Sequence, residues 1–164
     1  MQVRDVEPKY WEVVALREAG GTTPLFCLPG AGGEVTTFRE MASHFADSQS
    51  VYGIDVKTFF DTDREFTVEE LADFCVTAIR QAQAHGPYNL CGYSFGALVA
   101  YEVAIRLGHA GEDIGVVALI DTGNPAFRAQ LSSAEMKQLQ KTYVANRVDK
   151  YLRFFDLRKH SNIC

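Results

Sequence analysis

The sequence predicts an α/β fold, a mostly parallel sheet with helices on both faces. Three observations lead there. Strand-like and helix-like patterns alternate along the chain, the order that produces parallel sheets with crossover helices. Two short runs, 25–28 and 116–120, are apolar at every position, which suits strands covered on both faces. Thr67 and Glu70 form a capping-box signature in front of a long amphipathic stretch. A length of 164 residues fits one domain, and 1–164 is expected to be a single unit.

Residues 10–16 read as a first strand, and the Gly20-Gly21-Thr22-Thr23-Pro24 stretch as the turn after it. The run 25–28 is a strand ended by Pro29-Gly30. A helix follows, with Phe38, Met41, Ala42 and Phe45 on one face. Residues 51–56 form the next strand, and 57–66 are polar enough to be a loop. Thr67 opens the clearest helix, whose inward stripe is Val68, Leu71, Cys75, Ala78, Ile79 and Ala82, and Gly86-Pro87 stops it. Residues 88–92 are a strand, 94–107 a helix, and 116–120 a strand ending at Asp121. Beyond it, Ser132 or Ser133 is placed to cap a helix carrying Met136, Leu139, Tyr143, Val144, Val148, Tyr151, Leu152 and Phe155. Residues 126–164 are expected to begin a helical lid.

Composition narrows the function classes. Sixteen basic against twenty-one acidic side chains give a net charge of −5. No basic face is available to neutralise phosphates, so nucleic acid is not an expected partner. No run approaches the roughly 18 apolar residues of a membrane span, and the N-terminus has no signal-peptide core. The four cysteines, Cys27, Cys75, Cys91 and Cys164, show no C-x-x-C pairing and read as reduced thiols of a cytoplasmic protein. The histidines at 44, 85, 109 and 160 lack metal-ligand spacing.

The chemistry concentrates in Gly92-Tyr93-Ser94-Phe95-Gly96, a G-x-S-x-G motif between a predicted strand and a predicted helix. A serine on that turn is held in strained geometry, so residues two positions away must lack bulk; Gly92 and Gly96 do. Ser94 then lies at a helix N-terminus, where partial positive charge favours an oxyanion. Acyl transfer also needs a pair of donors for the tetrahedral intermediate. The amide of Phe95 is one. The loop Pro29-Gly30-Ala31-Gly32-Gly33 offers the second at Ala31, and it lacks the Lys-Ser/Thr of a phosphate-binding loop. Asp121 ends the next apolar strand on the same rim as the elbow and is the candidate acid, with Asp55 in reserve.

Three motifs in order, Leu28-Pro29-Gly30-Ala31-Gly32-Gly33, the stretch from Gly92 to Glu102, and Leu119-Ile120-Asp121, resemble the thioesterase domains of nonribosomal peptide and polyketide synthases. The resemblance runs over 10–125. It implies an α/β-hydrolase-type fold and a serine acyl-enzyme that takes an acyl or peptidyl chain from a carrier protein. It also implies no soluble cofactor and no metal, because phosphopantetheine arrives on the partner carrier protein. Asp121 and Ala31 match the family's acid and oxyanion-loop positions. Ala97 departs from it, since many members carry a second glycine there.

The family order of serine, acid and histidine places the base beyond the lid. His160 is the only histidine after Asp121, and it stands in a helix tail. The expectation is therefore a thioesterase domain lacking its last strands, with activity reduced by the missing base. An exposed edge at 116–120 would favour self-association. Two other readings stay open: an esterase or lipase of the same fold, and a non-catalytic fragment that binds acyl chains or a carrier protein.

Overall fold

The computed structural model describes residues 12–60 and 65–123, with Ser132, Ala134, Glu135 and Gln138. The chain divides into two compact units, Met1–Thr122 and Gly123–Cys164. In the first, β1 (Val13–Arg17), β2 (Leu25–Leu28), β3 (Val51–Ile54), β4 (Tyr88–Tyr93) and β5 (Ile114–Ile120) form a five-stranded sheet in the order β1-β3-β2-β4-β5. β1 runs antiparallel to β3, and the other pairs are parallel. The sheet is mostly parallel, as the alternation predicts.

The period of two along each strand divides the core between two faces. Phe26 and Leu28 of β2 point with Leu90 of β4 into one cluster, which holds Leu71, Cys75 and Ile79 of α1 (Val68–Ala82) and Val99, Val103 and Leu107 of α2 (Phe95–His109). The intervening Cys27 and Cys91 point the other way, where Phe38 and Ala42 cover them. Helices therefore lie on both faces. Cys27, Cys75 and Cys91 are buried free thiols.

α1 begins where the capping box predicts. The Glu70 amide donates to Thr67 Oγ1 at 3.2 Å, and the Thr67 amide donates to Glu70 Oε2 at 2.9 Å. Its stripe buries Leu71, Cys75, Ala78 and Ile79, while Ala82 at the fraying end is exposed. Arg106 of α2 ties the two helices by an ion pair to Asp73 at 2.7 Å.

Two local expectations are corrected. The helix after β2 is a 3-10 turn, Val35–Phe38, running into a short α-helix, Arg39–Ser43, so it ends before Phe45, which is exposed. The segment read as a loop opens with a helical turn, Lys57–Phe60. The Asp55 carboxylate accepts from the Lys57 amide at 2.9 Å, and the Phe59 ring packs on Phe74 of α1 at 5.4 Å. A side-chain cap and an apolar anchor outweigh the polarity of the surrounding sequence.

In the second unit, Ser132 is the cap expected from the sequence: its Oγ accepts from the Glu135 amide at 3.3 Å, and its own amide donates to the Glu135 carboxylate at 2.9 Å. The opening stretch, the rest of the expected lid helix, His160 and Cys164 lie outside the described residues.

Candidate active site

Strand order reverses direction at β2: one connection leads from it to β3 on one side, and β4 lies on the other. Such a reversal leaves a crevice at the carboxyl ends of the parallel strands, where ligands bind in open α/β sheets. Loop 29–33 follows β2 at this rim, Ser94 follows β4, and Asp121 follows β5.

Ser94 has φ 55° and ψ −117°, a conformation that costs a non-glycine residue of order 1–3 kcal/mol. It holds the N-cap of α2 without a side-chain capping bond, and no acidic residue occupies the first turn. No acidic side chain of its own first turn therefore offsets the positive end of this 15-residue helix. The Ser94 amide donates to the Ile120 carbonyl at 2.8 Å, which continues the β4–β5 ladder past its last pair, Tyr93 and Ile120. Asp121 stands one step beyond on the neighbouring strand, also in the left-handed region at φ 52°. Ser94 and Asp121 are the only non-glycine residues with positive φ among the described residues.

The two motif glycines are steric requirements. A Cβ on Gly92 would stand 2.3 Å from the Gly96 carbonyl oxygen, and one on Gly96 would stand 2.2 Å from the carbonyl oxygens of Leu28 and Pro29. The start of α2 is therefore seated directly against the end of β2. That contact brings loop 29–33 to the serine: a Cβ on Gly30 would lie 3.6 Å from Ser94 Cβ. The Gly33 amide donates to the Gly30 carbonyl at 2.9 Å and closes a turn around Ala31 and Gly32, with Gly33 at φ 68°. Phe95, the other predicted donor, is the first residue of α2. The structure therefore gathers Ser94, Phe95, the Ala31 loop and Asp121 at one rim.

It does not bring the described histidines there. His109 ends α2 at the opposite pole from Ser94. His85 precedes β4 at the far end of that strand and faces Glu112 at 3.5 Å. His44 turns its Nδ1 back onto the Glu40 carbonyl of its own short helix at 2.7 Å. Asp55, the reserve acid, is engaged in capping Lys57. In the core, burial pushes the Cys75 thiol up to about 12. A hydrogen bond with Cys91, reinforced by burial, raises the Cys27 thiol as well, so neither acts as a thiolate at neutral pH.

Sequence reasoning missed the neighbours that line loop 29–33. The Tyr93 ring lies 3.5 Å from a Cβ built on Gly30, while Phe60 and Lys57 lie 3.4 Å from one built on Gly33. The aromatic pair Phe59-Phe60 inside an otherwise polar stretch was the available signal.

Comparison with known proteins follows this geometry. The family model described as a thioesterase domain matches residues 23–154. The nonribosomal peptide synthetase btyA of Aspergillus terreus is 39% identical over 127 residues, which cover 76% of this chain and 13% of that protein. The indigoidine synthase of Streptomyces lavendulae is 37% identical over 69% of this chain and 9% of its own length. The chain thus spans only a small part of the curated relatives it matches. Among solved structures, the NocB thioesterase domain from the nocardicin cluster, in covalent complex with a fluorophosphonate nocardicin G analogue, superposes with a TM-score of 0.61 at 28% identity. That match covers 70% of this chain and 50% of that one.

Proposed function

The chain belongs to the thioesterase domain family and has its α/β-hydrolase type of fold, and from that premise we propose that Ser94 carries a chain-release reaction. The supporting observation is the pair of strained residues, Ser94 and Asp121, at adjacent strand ends. Strain of this kind persists where surrounding structure enforces it, and it clusters at functional sites.

In this reading the substrate is an acyl or peptidyl thioester on the phosphopantetheine arm of a carrier protein. Ser94 Oγ attacks the carbonyl carbon and gives up its proton to a base that Asp121 orients. The amides of Ala31 and Phe95 receive the oxyanion, assisted by the N-terminus of α2. The carbon–sulfur bond breaks, the thiol leaves with a proton, and the acyl group stays on the serine. Water or an internal nucleophile of the chain then attacks the ester and frees the product. Nucleophile, acid and oxyanion donors are groups of this chain in this reading, while the base that takes the serine proton and returns it to the leaving thiol lies outside the described residues; the reading assigns no metal or soluble cofactor to the step.

We place the reaction in the cytoplasm, on the strength of the buried reduced thiols. No described helix is long and apolar enough to cross a membrane. We also propose that β5, which pairs only with β4 among the described residues, supports self-association: Val116, Leu119 and Ile120 are 53%, 45% and 40% exposed on a strand whose outer edge is open among those residues.

The test is release of the acyl group from an acyl-phosphopantetheinyl carrier protein, beside a simple oxyester. Release from the carrier that is lost in Ser94→Ala supports the reading. Preferential turnover of the free oxyester points to an esterase, and binding of the acyl carrier without turnover in either assay points to a non-catalytic module.

A further inference from the structure

Ala31 and Gly32 are exposed at the tip of the oxyanion loop, and a loop of three glycines has little side-chain material with which to hold itself. Yet an oxyanion donor stabilises a transition state only when it is fixed before the reaction. What fixes it is visible at the two ends of the turn. Its first residue, Gly30, is pinned by the elbow through Tyr93 and Ser94. Its last, Gly33, is buried, and Lys57 and Phe60 are the neighbours on the side where a Cβ would stand: one there would lie 3.4 Å from Phe60 Cδ2 and from Lys57 Cγ.

That helical turn is itself anchored. Phe60 stacks on Phe66 at 5.3 Å, and Phe59 meets Phe66 at 5.1 Å and Phe74 of α1 at 5.4 Å. Asp55 holds the first amide of the turn from the end of β3. Ring contacts thus run from the core helix α1 to Phe60, and Phe60 with the Lys57 stem faces Gly33 across the room that a Cβ would fill.

We propose that Phe60, with the stem of Lys57, is a positioning residue that sets the Ala31 amide for oxyanion binding; this rests on the reading of Ser94 as nucleophile. Shortening the ring leaves a gap against Gly33, and the turn drifts into it. The elbow is unaffected, because Ser94 is held by its bond to Ile120 and by the glycine contacts. The loss therefore falls on the acylation rate and not on substrate binding.

The experiment measures the rate at which a fluorophosphonate labels Ser94 in the full chain, by intact mass, for the unchanged protein and for Phe60→Leu, Phe60→Val and Phe60→Ala. Amide exchange across 29–33 and 94–97 is followed in parallel. The expected result is a graded loss, about 10- to 100-fold for Phe60→Ala, largely rescued by leucine, with faster exchange at Gly33, whose amide donates to the Gly30 carbonyl, and unchanged exchange at 94–97. Equal labelling and equal exchange in all four proteins would overturn the brace while leaving the nucleophile intact. Absence of labelling in the unchanged protein would instead remove the nucleophile reading, and the exchange arm would still decide whether Phe60 holds the loop. Phe60→Leu and Phe60→Val keep the comparison open if Phe60→Ala does not fold.

Discussion

The backbone amide of Ser94 donates to the carbonyl of Ile120 at 2.8 Å, so the proposed nucleophile is fixed by the residue immediately before the proposed acid. Ladder, elbow and acid are one mechanical unit: the last pair of the β4–β5 register, Tyr93 with Ile120, sets the positions of the two strained residues that follow.

The strain at Ser94 should be measurable. Glycine adopts φ 55°, ψ −117° without the steric cost a Cβ brings. Ser94→Gly is expected to gain about 1 kcal/mol in a urea unfolding titration, net of the entropy that glycine adds to the unfolded chain, and to lose all acyl transfer. A loss of stability would show that the elbow is not strained.

Gly96→Ala drives a methyl group to 2.2 Å from two backbone carbonyls at the end of β2. Neither oxygen belongs to a flexible side chain, so helix and strand must separate. The expected cost is about 3 kcal/mol or more, read as a shift of the urea midpoint, with Gly92→Ala comparable. Ala97→Gly, by contrast, should be tolerated in activity and cost about 1 kcal/mol of helix stability.

Cys75 links stability to alkaline pH. Its folded pKa of about 12 lies above the ordinary value of 9.0, so the native thiol keeps its proton after the unfolded chain has lost its own. The contribution is complete below about pH 9 and is lost as pH rises toward 12, at up to about 1.4 kcal/mol per pH unit. Cys75→Val should flatten this part of the stability profile, and urea titrations from pH 8 to 11 on both proteins would reveal it.

The β5 edge predicts concentration-dependent association. Leu119→Lys places a charge on the exposed edge strand and should weaken self-association about tenfold or more, measured by light scattering across a dilution series. A parent protein that stays monomeric at every concentration contradicts the edge-pairing proposal.

Most of the fold was legible because its signals are local. The run 25–28 became β2 without adjustment, and the Thr67–Glu70 capping box marked the start of α1 to the residue. The elbow was equally plain, since Gly92 and Gly96 flank a serine between a strand and a helix and the structure supplies the contacts that exclude any side chain there. What the sequence concealed depends on tertiary packing. Phe60 reads as an apolar residue in a polar loop until its place beside Gly33 is seen, and the bond that the Asp55 carboxylate accepts from the Lys57 amide has no signal in the sequence. Phe45 fitted the helical period, but the helix ends at Ser43 and the ring faces solvent.

The most direct measurement of the central claim is intact mass after treatment with a fluorophosphonate, with peptide mapping and a Ser94→Ala control. The account predicts a single adduct, mapped to Ser94 and absent from the control. A folded protein that takes up no probe, or takes it up equally in the control, would contradict the assignment of Ser94 as the nucleophile.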